Sequence, residues 1–417
     1  MVLKASTTPL PELAEFLAPF AHHFQRSEGR EDLERYSTGL LSDIPRKNGD
    51  TIAGAVPGTN AQRTQELLTR IQWDEAAFNA QRIERMRDEV CLGDGVILLD
   101  DTGFAKQGKS SVGVARQYSG TLGKVGNCQV AVTGVYADPA TSWPLGVRLY
   151  LHQEWAGDKA RCAKAGVPED VGFETKPRLA LSILDEARRL EVPHKAVVSD
   201  ADYGGDSVFL EGLESRRELY VGAVPCDFSV EVKGQSQQGS HRADAVLHRV
   251  PLSSWKTISW REGAKGWLRK KFVAVRAYRT LGGRRIQLGW LIGERPAQGQ
   301  EGDWKYYFSN FPKSTSLETM VKYAHRRWHI EQFHENAKSL LGWDDYQGRL
   351  WTGFHRHATV VMLTYSFLSW KQWRMRKQSP RSPGRPRDPF SPSAGSKTTS
   401  PTGGPSPSRR SFVGHGR

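Results

Sequence analysis

The chain of 417 residues is 38% apolar and holds 13 Trp, enough for a sizeable core and two or three domains, which excludes a disordered or fibrous protein. Its net charge of +14 suggests a polyanionic partner, but ten Lys/Arg and one Asp lie from Arg374 onward, leaving only +5 on residues 1–373. No run of 18 apolar residues occurs and the opening MVLKASTTPLPELAEF lacks the regions of a signal peptide, so a cytoplasmic protein with no membrane partner is expected.

Residues 9–90 are predicted to be helical. LPELAEFLAPFAHHF, DLERYSTGLLSDI, NAQRTQELLTRI and DEAAFNAQRIERMRDEV each repeat apolar positions at intervals of three and four, with Asn60 and Asp74 at N-cap positions. GVILLDD (95–101) has the length and apolarity of a buried strand, and NCQVAVTGVYAD (127–138) and PLGVRLYLHQ (144–153) read as two more. KPRLALSILDEARRL (176–190) is an amphipathic helix, KAVVSDADYG (195–204) a strand ending in acids, and ELYVGAV (218–224) a further strand. From 206 to 305 the texture becomes β-rich, with KKFVAVRAY, RRIQLGWLIGER and DWKYYFSN as strands and VKGQSQQGSH as loop. From Thr315 to about Trp370 the pattern is helical, and FHRHATVVMLTYSFLSW (354–370) reads as a core helix too interrupted for a membrane span. The Pro/Ser/Gly/Arg-rich tail from Arg374 cannot bury enough surface to offset its ordering entropy and is expected to be disordered. The order of elements predicts an α/β fold: a central mixed sheet flanked by helices and interrupted by an all-β insertion.

The acids fall where such a sheet can gather them. Asp100 and Asp101 are expected to end the first core strand, Asp200 and Asp202 a later one, and Glu331 lies on the helix after the insertion. Three carboxylates from two strand ends and a helix suit Mg²⁺ or Mn²⁺, hard cations that pair with phosphates. Two such ions can activate a water or hydroxyl and stabilise the leaving oxygen in phosphoryl transfer. Spacing alone leaves Asp101 and Asp202 open beside their neighbours.

RRWHIEQFHENAKSLLGWDDYQGR (326–349) is predicted to begin as one helix. On it Arg327, Glu331 and Lys338 fall within about 40° of one another, and Ile330, Phe333, Ala337, Leu340 and Leu341 form the adjacent apolar stripe. Burying that stripe would aim the charged one along the sheet, where Arg and Lys can hold DNA phosphates beside the acids. The basic segment 105–124, with Lys106, Lys109, Arg116 and Lys124, follows the first acids and is read either as a solvated hairpin or as a DNA-backbone contact. Arg63 and Arg70 on the helix near 61–71 are a weaker candidate for DNA recognition.

Other chemistries find less support. The cysteines, Cys91, Cys128, Cys162 and Cys226, form no CxxC pair, so they are expected to be reduced thiols. His325 and His329 are spaced as in a zinc helix, but Arg326 stands where HExxH needs Glu. SDADYGGD lacks the spacing and terminal Glu of a calcium loop, and no Gly-rich segment carries the Lys-Ser/Thr of a P-loop.

DDTGFAKQGKSSVGVARQYSGTLGKVGNCQVAV, VVSDADYGGD and RRWHIEQFHENAKSLLGWDDYQGR resemble the DDE-type transposases of bacterial insertion sequences, over roughly residues 10–373. The resemblance implies an RNase H-like catalytic domain with a β-rich insertion. Its D-x-T, D-x-x-Y and R-x3-E-x6-K patterns fall on Asp100 to Thr102, Asp200 to Tyr203, and Arg327, Glu331 and Lys338, which favours Asp100, Asp200 and Glu331 as the metal-binding catalytic triad. The family's Tyr three residues before the Arg falls here on Ala324, beside Tyr323. The implied organisation is a helical N-terminal region (1–92), a catalytic core (93–205 and 306–373), the insertion (206–305) with one core strand near 218–224, and the tail (374–417). The implied activity is metal-dependent cleavage at terminal inverted repeats and strand transfer into target DNA, by a homodimer or larger assembly. An RNase H-like nuclease without strand transfer and an inactive, transposase-derived DNA-binding regulator are the alternatives.

Overall fold

The computed structural model describes residues 5, 8–121, 123–234, 239–263, 266–296 and 302–378. Five helices come first: α1 (Pro11–Leu17), α2 (Ser27–Leu41), α3 (Gly49–Ala55), α4 (Ala61–Thr69) and α5 (Glu75–Val90). The expected caps form, Asn60 accepting from the Arg63 amide and Asp74 from the amides of Ala76 and Ala77. Next come β1 (Val96–Ala105), β2 (Ala115–Ser119), β3 (Lys124–Ala137) and β4 (Ser142–Leu149). A crossover through α6 (Gln153–Ala156), α7 (Lys159–Lys164) and α8 (Lys176–Arg189) leads to β5 (Val197–Ser199), then α9 (Ala201–Gly204), α10 (Ser207–Ser215) and β6 (Tyr220–Val224).

Strands β4, β3, β1, β5 and β6 lie in that order, antiparallel across β3 and parallel from β1 through β5 to β6. This is the RNase H-like sheet. The parallel steps require helical crossovers, which α6 to α8 and α9 to α10 supply. β2 pairs with the first half of β3 on the same edge that β4 takes further along.

The β-rich stretch extends this sheet. β7 (Ser229–Val232), β8 (His241–Arg242), α11 (Ala243–His248), β9 (Lys256–Gly263), β10 (Gly266–Leu281) and β11 (Arg284–Arg295) lead to β12 (Lys305–Ser309). Strand β12 lies antiparallel between β6 and β11, so one twelve-stranded sheet runs through both halves. The stretch is largely strand, with α10 and α11 as helices within it.

After β12 the chain forms α12 (Leu317–His325), α13 (Trp328–Ser339) and α14 (Trp351–Gln378). The expectation of unbroken helix from Thr315 to Trp370 is corrected at two places: Arg326 and Arg327 form a turn between α12 and α13, and Gly342, at φ +65°, ends the next helix region before a 3-10 turn at Trp343–Asp345. Helix α14 is buried from Gly353 to Phe367 almost without interruption, and α1, α2, α4, α5 and β4 pack on it. Two of its buried polar residues bond to the N-terminal region: Tyr36 Oη of α2 lies 3.0 Å from His357 Nδ1, and Arg356 donates to the carbonyls of Ile71 and Trp73 between α4 and α5. Arg82, fully buried, donates to the carbonyls of Pro144 and Leu145 and to Ser366 Oγ, tying α5 to β4 and α14. Arg374 to Gln378, expected in the tail, belong to α14; the rest of the tail lies outside the described residues. Among the described residues no helix is long and apolar enough to cross a membrane, and all four cysteines are free.

Candidate active site

The register of β1 against β5 builds the site. Leu99 is paired with Ser199, so the next residues, Asp100 within β1 and Asp200 just past the end of β5, come side by side. Strand β1 does not end at the acids as expected. It runs on to Ala105 along β3, while β5 stops at Ser199 and opens the other edge of β1 to a cavity. Asp200 caps α9, its Oδ1 accepting from the amides of Asp202 and Tyr203 at 3.1 Å each. Asp100 Oδ1 accepts from the Asp101 amide at 2.8 Å, and its Oδ2 from Arg327 at 3.2 Å.

This cavity, of about 530 Å³, is lined by Asp100, Asp101, Asp200, Asp202, Arg327, Glu331 and Lys338 among others. Helix α13 and the turn before it deliver the last three because Ile330, Phe333, Ala337 and Leu341 are buried, as the stripe predicts. Leu340, expected in that stripe, is 41% exposed; it lies at the C-cap, where the last turn lifts off the core.

Charge is unevenly settled here. Burial pushes the Asp100 carboxyl well above the usual carboxylate range, and the Asp200 charge pushes it further, against Arg327. Asp200 is likewise raised, chiefly by burial. Two carboxylates that resist joint ionisation form a place for added positive charge. Arg327 supplies some of it, bridging Asp100 to Glu331. Beneath them the buried Tyr203 hydroxyl has no hydrogen-bond partner among the described residues. The donor set of the aspartate pair therefore fits a hard divalent cation. Glu331 shares the cavity but is taken up by Arg327, and among the described residues no three His, Cys, Asp or Glu side chains stand grouped as metal ligands.

The doubled acids part company. Asp101 is ion-paired to Lys176 of α8 at 2.8 Å, and Asp202 is exposed in the first turn of α9. The predicted cations also divide. Lys338 donates to the Gly103 carbonyl at 2.8 Å and to Thr121 Oγ1 at 3.0 Å, and burial lowers its pKa to about 8. Lys106 is half-buried and donates to the Tyr346 carbonyl at 2.6 Å. Lys109, Arg116 and Lys124 are exposed, and the basic segment that carries them holds strand β2. Arg63 is turned inward to Asp32 and Glu31, whereas Arg70 is exposed. Tyr323 faces Asp94, its hydroxyl donating at 3.1 Å.

Sequence reasoning missed Lys176, Tyr118, Thr121 and His334, which also line the cavity. His334 follows Glu331 by three residues, one turn along the same helix, so that spacing was a usable signal. Its Nε2 lies 2.7 Å from Thr133 Oγ1, and burial, with Lys338 and Arg327 nearby, lowers its pKa to about 3, which keeps it neutral. Tyr118 and Thr121 lie within the basic segment 105–124, whose Lys and Arg alone were singled out, and Lys176 comes from the first turn of α8. His329, one of the pair weighed for zinc, is held neutral by burial and by Arg261 and Arg326, with its pKa lowered to about 3.

The profile of the DDE superfamily endonucleases matches residues 19–267, and that of the transposase DDE domain matches residues 174–367. The chain belongs to the DDE-type insertion-sequence transposases. A curated relative, the probable transposase for insertion sequence element IS701 of Microchaete diplosiphon, is 27% identical over 318 residues, covering 74% of each chain. The cryo-EM structure of a piggyBac transposase synaptic complex with hairpin DNA overlaps 89% of this transposase-family chain and 80% of that one, with a TM-score of 0.36 and 10% identity, a likeness too distant to carry an argument.

Proposed function

We propose that this transposase cleaves DNA at the terminal inverted repeats of its element and joins the freed 3′ ends to target DNA, using Mg²⁺ or Mn²⁺ held by Asp100, Asp200 and Glu331. One observation carries the reading: these three acids, from β1, the end of β5 and α13, line a single cavity together with Arg327 and Lys338. When bound, the divalent ions stabilise charge on the phosphoryl oxygens and acidify the attacking water or hydroxyl. The chain's own residues bind and orient. Arg327, now shared between Asp100 and Glu331, exchanges carboxylate for a DNA phosphate and frees Glu331 to complete the triad. Lys338 fixes the wall formed by Gly103 and Thr121. Lys109, Arg116 and Lys124 contact the DNA backbone, and neutralising those phosphates makes binding fall with salt. Both steps are in-line phosphoryl displacements, so one site serves both. Pairing two element ends requires at least two protomers, and the DNA substrate fits a cytoplasmic protein.

The test is a cleavage and joining assay on a duplex carrying the inverted repeats that flank the gene, with Mg²⁺ or Mn²⁺. Nicked ends that integrate into a target plasmid are expected. Free 3′ ends that never integrate would make the protein a nuclease, and binding without cleavage in either metal would make it a regulator.

A further inference from the structure

Asp101 lines the same cavity as its chain neighbour Asp100, yet the two carboxylates are held from opposite sides of the sheet. Successive residues of a strand point to opposite faces, and residues paired across a ladder share one. Thr133, opposite Asp100 in the β1–β3 register, reaches His334 of α13, whereas Gly134, opposite Leu99, lies so close to Ile183 of α8 that a side chain there would collide with it. Asp101, two residues beyond Leu99, therefore faces α8. There it meets Lys176 at 2.8 Å.

Nothing in α8 itself asks for that lysine. It is the first residue of the helix, followed by Pro177, and a cation at a helix N-terminus opposes the macrodipole. The first turn of α8 holds no acid to offset it. Its ammonium lies 5.9 Å from the centre of the Tyr150 ring and pairs with Asp101, the two side chains being only 31% and 20% exposed. The acid explains its place.

Charge says what the pair does. Six carboxylates line the cavity, those of Asp100, Asp101, Asp200, Asp202, Glu331 and Glu335, against three cations. Arg327 is taken up by Asp100 and Glu331, and Lys338 donates to Gly103 and Thr121, which leaves Lys176 to offset Asp101. Burial does most to raise the Asp100 and Asp200 carboxyls, and the Asp101 charge adds to it at both. Because β5 stops at Ser199, the edge of β1 is open beside the acids, and a carboxylate released from α8 can turn round that edge toward the ion site. An unpaired Asp101 would then compete as a ligand. We propose that Lys176 is a positioning residue: it holds Asp101 against α8 and cancels its charge, so that of the β1 acids Asp100 alone joins Asp200 at the divalent ion. The inference rests on the metal-dependent reading of the site.

The experiment uses the full chain. Uptake of Mn²⁺ is followed by the loss of the free-ion signal in electron paramagnetic resonance, and cleavage on a duplex carrying the inverted repeat that flanks the gene. Lys176→Met should bind Mn²⁺ at least as tightly as wild type, because Asp101 becomes available to the ion. It should nevertheless cut about 10- to 100-fold more slowly, because the ion is drawn from its place. In an Asp101→Asn background the same substitution should cost nothing further. Undiminished cleavage by Lys176→Met, weaker Mn²⁺ uptake by it, or an equal loss in both backgrounds, as a lost contact to a DNA phosphate would give, overturns this role while wild-type cleavage upholds the site. A wild-type protein that cuts in neither Mg²⁺ nor Mn²⁺ removes the metal-dependent reading, and the role of Lys176 with it.

Discussion

Asp100, half-buried, and Glu294, wholly buried, are carboxylates on either side of the turn between α12 and α13, and their surroundings drive them in opposite directions. Glu294 on β11 is wholly buried and accepts from Lys270 at 2.5 Å and from the Tyr307 hydroxyl at 2.6 Å, with His325 Nε2 at 3.1 Å. Burial alone would raise its pKa, yet these partners hold it down to about 2. Asp100, two residues along the turn from that His through Arg327, has a second carboxylate for a neighbour and is raised instead. The difference teaches where buried charge is fully compensated and where it is not. A fully paired buried charge fixes structure, and an under-compensated pair of like charges marks a site of function.

The Glu294 cluster also explains what the extension of the sheet does for the acids. His325 stacks on Trp260 of β9 with ring centroids 3.9 Å apart, while Ile258, Phe272 and Val321 form one buried cluster. The far strands thus clamp the end of α12, and the turn that follows delivers Arg327 and Glu331. A rigid support of this kind is what a site of several converging side chains requires.

The comparison breaks first at the acids. Asp100→Asn, Asp200→Asn and Glu331→Gln are each expected to lower end cleavage in Mg²⁺ by on the order of 10³ or more while repeat binding is kept, measured on labelled end DNA. Near-normal cleavage by any one of them removes that residue from the site. Next comes Glu294→Ala, which leaves the buried Tyr307 hydroxyl and the half-buried Lys270 without their shared acceptor and should cost roughly 1–3 kcal/mol in urea unfolding.

The two sites should also differ in the sign of their pH dependence. Because the folded pKa of Glu294 is depressed, its stabilisation is complete above the unfolded value of 4.5 and is lost as pH falls toward about 2. Wild type and Glu294→Gln should therefore converge in stability across that window. Asp100 is raised, so ionising it at neutral pH costs stability, and Asp100→Asn should melt higher than wild type at pH 7 in EDTA although it cannot cut. A lower melting temperature for that variant would show that its bond to Arg327 outweighs the crowding. Smaller still, Asp101→Asn and Asp202→Asn should change cleavage by about tenfold at most, since one is paired to Lys176 and the other is exposed. The smallest effect belongs to the exposed Arg70–Glu66 pair on α4, where Arg70→Ala should shift stability by less than about 0.5 kcal/mol.

Much of the site could be read from the chain because a helix face is a local property. Arg327, Glu331 and Lys338 repeat at intervals that any α-helix brings to one side, and the apolar residues between them say which side is buried. The doubled acids could not be resolved that way. Whether Asp100 or Asp101 meets Asp200 depends on the β1–β5 register, and a shift of one residue exchanges the faces. The turn at Arg326–Arg327 was equally hidden, with neither Gly nor Pro to announce it. Lys106 and Lys338 looked like free cations because their acceptors, the carbonyls of Tyr346 and Gly103, lie far away in sequence.

By itself the sequence determined the local elements: the capped N-terminal helices, the apolar strands, the buried length of α14 and the charged stripe of α13. These follow from periodicity and caps, which act over a few residues. Tertiary structure alone decided which carboxylates adjoin, which cations are tethered, and that β12 joins the two halves into one sheet beside β6. Strand order and register are set by pairings between residues tens to hundreds of positions apart, and no local pattern encodes them.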